Sequence, residues 1–118
     1  MMLKMKTRLL DGVVVLECSG RIVFGEETKA LRERVKQLLG ETNEIVLDLA
    51  EVSYIDSGGL GTLVGLHSSA RNIGAHIKMA SLTPRVGDLL QVTKLVTVFD
   101  VYDQADLAVR DFRKRAIA

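Results

Sequence analysis

Residues 44–66, "EIVLDLAEVSYIDSGGLGTLVGL", hold two hydrophobic patterns that meet at an unusual junction. "EIVLDLA" (44–50) is rich in Ile, Val and Leu, apolar enough for a strand at the centre of a sheet. The apolar run ends at Asp56-Ser57. Two glycines follow, then a helical pattern that points Leu60, Leu63, Val64 and Ala70 inward. A strand that passes directly into a helix is a building block of parallel sheets, so the fold class turns on this junction.

Toward the N-terminus, Leu3, Met5, Thr7 and Leu9 alternate with Lys4, Lys6 and Arg8. That is strand periodicity and not the solid apolar block of a signal peptide. Asp11-Gly12 suits a hairpin turn, after which Val13 to Cys18 returns as an antiparallel partner. From Gly25 the period changes: Leu31, Val35, Leu38 and Leu39 share one helical face, with Glu26 and Glu27 in the first turn and Gly40 to close it. Toward the C-terminus, the central helix stops near Gly74 and "HIKMAS" (76–81) is a strand. Thr83-Pro84 reads as N-cap and first residue of a short helix bearing Val86, Leu89 and Leu90. A brief strand near 98–101 precedes a last helix, capped by Asp103, with Ala105, Ala108, Val109 and Phe112 on one side.

The predicted order is β-β-α-β-α-β-α-β-α in one α/β domain spanning residues 1–118. Its sheet has about five strands, mainly parallel with the first antiparallel, and about four helices pack on it. Parallel strands set their carboxyl ends along one edge, where binding sites gather. Segments 20–25, 52–58 and 81–85 are therefore expected to meet there.

Composition narrows the function classes. The chain has 118 residues, 47% apolar and 26% charged, with a formal net charge of +1, which lacks the basic footprint of a nucleic-acid binder. One cysteine, Cys18, makes no internal disulfide and reads as a buried small hydrophobe. His67 and His76 have no zinc-site spacing, and His67 reads as a helix-surface or boundary residue. Arg110, Arg113, Lys114 and Arg115 read as a solvated helix end favoured by the dipole. No apolar run reaches the ~18 residues of a membrane helix. A soluble cytoplasmic domain without metal, cofactor, nucleic-acid or membrane partner is expected.

At the junction, Ser57 stands where a helix N-cap belongs, and its hydroxyl is expected to accept a first-turn amide. Gly58 and Gly59 are poor helix residues, which suggests a close backbone approach or special dihedrals. Two readings follow: a tightly packed turn, or a hydroxyl offered for modification at the positive end of a helix. A phosphoryl group there would bring about −1.5 to −2 charges and spoil an interface that had accepted a neutral hydroxyl. A nucleophile elbow would need glycine at position 55, where Ile55 stands, and "GGLGT" lacks the lysine and spacing of a phosphate-binding loop. Enzyme catalysis by the chain is not expected.

The segment from "IVLDLAEVSYIDSGGLG" through "TPRVGDLLQVTKLVTVFDVYDQADLAV" resembles the STAS domain of bacterial anti-sigma factor antagonists, over nearly the whole chain. The resemblance implies that the unphosphorylated chain binds an anti-sigma factor that is also a serine kinase, and so frees a sigma factor. It further implies phosphorylation at Ser57 and resetting by a metal-dependent serine phosphatase, with the chain a monomer or weak dimer. Asp56, Ser57, Gly58, Gly59 and Leu60, together with Arg21, Val23 and Phe24 of the loop after the second strand, are the implied partner contacts. Two departures stand out: Gly58 where family members often carry Ser, Ala or Thr, and Val23 where some carry an aspartate. Alternative readings are a STAS interaction subunit of a sensory or transport complex, and a small-ligand or nucleotide sensor.

Overall fold

The computed structural model describes residues 3–117, with side chains up to Lys114; the side chain of Arg115 lies outside the described residues. The elements are β1 (Lys4–Leu10), β2 (Val13–Ile22), α1 (Glu26–Leu39), β3 (Glu44–Ile55), α2 (Ser57–Asn72), β4 (His76–Ala80), α3 (Pro84–Val92), a 3-10 turn (Leu95–Thr97), β5 (Asp100–Tyr102) and α4 (Ala105–Ile117). They form one five-stranded sheet in the order β1-β2-β3-β4-β5, with β1 antiparallel to β2 and every other pair parallel. The expected class and order are therefore what the chain adopts. β2 and β3 run farther than expected, to Ile22 and Ile55, and β5 starts later, at Asp100, because the amides of Val98 and Phe99 donate to the carbonyl of Leu95 and close the 3-10 turn.

Strand alternation sends two apolar sets to opposite sides. Leu16, Cys18, Ile45, Leu47, Ile77 and Met79 meet Leu31, Val35 and Leu38 of α1, Leu63, Leu66 and Ala70 of α2, and Val86 and Leu90 of α3. Val13, Val15, Val46 and Ala80 meet Ala105, Ala108, Val109 and Phe112 of α4. Leu66, not Val64, completes the buried stripe of α2; Leu60 and Val64 are half-buried. Burial pushes the Cys18 thiol up to about 12, with Asp48 adding to the rise, so it stays a protonated, unreactive side chain.

Capping differs from expectation at α3 and α4, among others. Thr83 does stand at the N-cap of α3, but its hydroxyl donates to the carbonyl of Val52 at 2.9 Å and ties that helix to β3. The first residue of α4 is Ala105, and the carbonyl of Gln104, not a side chain of Asp103, accepts from Ala108. His67 is half-buried edge-on to Phe99, with ring centroids 5.3 Å apart, and burial lowers its pKa. Arg113 pairs with Glu44 at 2.7 Å, so the basic helix end is not wholly solvated. No helix among the described residues is long and apolar enough to cross a membrane.

Candidate functional site

The carboxyl ends of the parallel strands bring the three expected segments together. Asp56 donates its backbone amide to the carbonyl of Ile22, Thr83 reaches Val52, and Arg21 and Arg85 both lie over the ring of Tyr54. Two irregularities in the β2–β3 ladder shape this end. Glu17 to Ser19 spans two steps while Asp48 to Glu51 spans three, and Gly20 to Arg21 spans one while Val52 to Tyr54 spans two. The extra residues lie on β3, and such bulges re-aim the side chains beyond them. The second bulge sets Tyr54 directly opposite Arg21.

Asp56, not Ser57, is the N-cap of α2. Its backbone is extended, and its carboxylate accepts from the amide of Gly59 at 2.7 Å. The same carboxylate accepts from the amide of Phe24 at 3.1 and 3.2 Å, which locks the loop after β2 onto the helix start. A carboxylate caps as well as a hydroxyl does and adds charge at the positive end of the helix dipole. With Asp56 in that place, Ser57 becomes the first helical residue. It is exposed, and among the described residues its hydroxyl has no hydrogen-bond partner.

The amide of Gly59, then that of Phe24, hold the Asp56 carboxyl below its usual range. The folded state thus prefers the ionised form, and the stability this confers is full above the unfolded pKa of about 3.9 and is lost as pH falls through the lower folded value. Asp56→Asn should lower the melting temperature near neutral pH by roughly 5 °C. The gap to wild type should close in melting curves taken below about pH 4. A gap that stays constant down to the acid limb would show that the charge of Asp56 adds nothing.

The two glycines answer to the chain itself. A Cβ on Gly59 would stand 2.0 Å from the carbonyl oxygen of Ile22, and one on Gly58 would stand 2.5 Å from Cβ of Phe24. The helix start is pressed against the end of β2, and only glycine leaves room. Gly59 is buried and serves internal packing. Gly58 is half-buried under Phe24. Phe24 itself is 79% exposed beside Ser57, with the half-buried Val23 before it and Leu60 one turn into the helix. The exposed patch is therefore Phe24 and Ser57, flanked by Arg21. Tyr54 and Arg85 join it, and neither stood out in the sequence, because only the bulged register and the start of α3 bring them there.

Comparison with known proteins agrees with this construction. The STAS domain family matches residues 4–108. The anti-sigma-B factor antagonist of Bacillus subtilis is 30% identical over 80 residues, covering 68% of this chain and 73% of that protein. The crystal structure of a putative anti-sigma factor antagonist from Thermotoga maritima superposes with a TM-score of 0.84 at 26% identity, over 92% of this chain and 94% of that one. A sulfate transporter family protein from Wolinella succinogenes shares the fold, with a TM-score of 0.74 at 19% identity over 94% of this chain and 93% of that one. From strand order, helix start and sequence together, the chain belongs to the STAS domain family, among relatives named as anti-sigma factor antagonists.

Proposed function

We propose that this protein is an anti-sigma factor antagonist switched by phosphorylation of Ser57. In its unmodified form it binds an anti-sigma factor that is a serine kinase and so releases a sigma factor. The kinase transfers phosphate to Ser57, the complex separates, and a metal-dependent serine phosphatase restores the hydroxyl. The chain is a substrate and a ligand in this cycle, not a catalyst.

One observation carries the reading. Ser57 is an exposed hydroxyl, unengaged among the described residues, on the first turn of a sixteen-residue helix, because Asp56 has taken over the capping. A serine spent on capping would lose a backbone bond when modified; this one has none to lose. A phosphoryl group there meets the positive helix end and leaves the fold in place. Toward a partner it adds bulk and charge where Phe24 offers an exposed anchor, and an interface closed over a neutral hydroxyl would open.

Incubation with the kinase and ATP should label the wild-type protein and leave Ser57→Ala unlabelled. Equal labelling of both would remove Ser57 from the cycle. Ser57→Glu should melt within about 2 °C of wild type, since surface changes cost little, yet bind the kinase at least tenfold more weakly. Unfolding of that variant would instead make the residue structural.

A further inference from the structure

Tyr54 carries an arginine from each of two different elements. Arg21, at the end of β2, has its guanidinium carbon 5.3 Å from the ring centroid, and Arg85, in the first turn of α3, has its own at 5.2 Å. Together with Ser53 these residues line an open depression of about 360 Å³. Neither guanidinium has a hydrogen bond or an ion pair among the described residues, whereas Arg8 and Arg113 are each paired with a glutamate. The nearby Asp56 carboxylate feels the charge of Arg21 but makes no ion pair with it, and is held by the amides of Gly59 and Phe24.

This arrangement does not serve the fold alone. Two cations drawn to one ring repel each other, and an exposed cation–π contact returns little. Arg85 also sits at the positive end of α3, whose first turn has no acidic residue, so the helix dipole opposes it. An anion seated in the depression that both arginines line would offset these terms. Both guanidinium groups lie over the ring with no hydrogen bond among the described residues, which leaves their N–H forks free for the bidentate geometry of a carboxylate. Among the described residues that line the depression, Tyr54 is the only ring and already carries both arginines, which disfavours a nucleotide base.

We infer that Arg21, Tyr54 and Arg85 form a carboxylate receptor that takes an Asp or Glu side chain of the protein docking over Ser57. The inference rests on the docking reading above and adds the chemistry by which this chain would choose its partner. Opposite charges at an interface rim raise the rate of encounter and exclude wrong partners. A partner with a basic residue at that point would be rejected.

Two measurements separate this receptor from the Ser57 cycle. In the first, acetylated hexaglutamate is titrated into the isotope-labelled protein and read on the arginine Nε–H resonances. Arg21 and Arg85 should shift saturably, Arg32 and Arg110 should not, and the response should vanish at about 0.5 M NaCl. Uniform small shifts of all arginines would overturn the receptor. Saturation by ATP at lower concentration than by the peptide would make it a nucleotide site and overturn the assignment to a protein carboxylate. In the second, the Kd for the kinase is measured for wild type, Arg85→Lys and the double variant Arg21→Ala/Arg85→Ala. The double variant should bind about 10- to 100-fold more weakly with a shallower salt dependence, and Arg85→Lys should fall between. An unchanged Kd with Ser57 still labelled overturns the docking role and leaves the cycle standing. Absence of Ser57 labelling ends the cycle, while the peptide titration still decides the receptor.

Discussion

Gly59→Ala is expected to lower the melting temperature by roughly 12 °C, the counterpart of about 3 kcal/mol in a chain of this length. The added methyl would stand 2.0 Å from the carbonyl oxygen of Ile22 and 2.9 Å from its carbonyl carbon. Both are backbone atoms, and that carbonyl accepts the amide of Asp56, so it cannot turn aside without loosening the helix start from β2. The same helix holds its own control. Gly61 and Gly65 are exposed, and a Cβ on either meets nothing within 4 Å. Gly61→Ala and Gly65→Ala should therefore each stabilise, by up to ~1 kcal/mol, through helix propensity and a less flexible unfolded chain. Thermal melts of the three variants read the difference directly. A Gly59→Ala protein as stable as wild type would mean that the close approach of Ile22 does not constrain the site.

The second large effect lies on the other side of the sheet. Lys78 is fully buried, and its ammonium donates to Asp111 at 2.9 Å, to the Tyr102 hydroxyl at 3.0 Å and to Asp100 at 3.3 Å. It also lies 4.7 Å from the Phe112 ring centroid. This single side chain connects β4, β5 and α4. Lys78→Ala should cost about 3 kcal/mol, or roughly 12 °C, by opening a cavity and taking the ammonium from beside two carboxylates. The figure sits at the low end for a broken buried pair because Asp100 and Asp111 keep contact with water. Lys78→Met should recover part of the loss by refilling the volume. A Lys78→Ala protein that melts with wild type would show that packing alone holds α4.

The charge of Lys78 makes a separate prediction. Burial pushes its pKa down, but the hydrogen bonds to Tyr102 and Asp111 outweigh this and the net direction is up. A raised folded pKa means that the contribution is full below the unfolded value of about 10.4 and is lost as pH rises through the folded one. The stability gap between wild type and Lys78→Met should thus narrow only in strongly alkaline solution. Narrowing near neutral pH would contradict a charged, well-paired lysine.

Much of this molecule was written in local pattern. The period-2 and period-3.6 repeats set the class, the order and the packing side of most elements, because each needs only neighbours in the chain. Leu31, Val35 and Leu38, or Ala108, Val109 and Phe112, could be assigned to buried faces with no knowledge of what covers them. Asp56-Ser57-Gly58-Gly59 likewise marked the site, since a polar pair and two glycines between apolar runs fit a strand-to-helix turn.

Which of the two polar residues caps the helix was not legible. Ser and Asp are comparable caps, and the choice fell to Asp56 because a carboxylate can also hold the amide of Phe24, thirty-two residues away. The purpose of the glycines was equally hidden, since the carbonyl of Ile22 arrives there only once β2 and β3 are paired. The same pairing, with its bulges, set Tyr54 opposite Arg21, and the start of α3 then added Arg85. A bulge depends on how two strands settle against each other, so no single strand announces it. By itself the sequence determined what kinds of elements form and where an exposed serine would fall. Only the tertiary structure decided which groups surround that serine, because contacts between distant segments depend on register and on the space left by side chains that are absent.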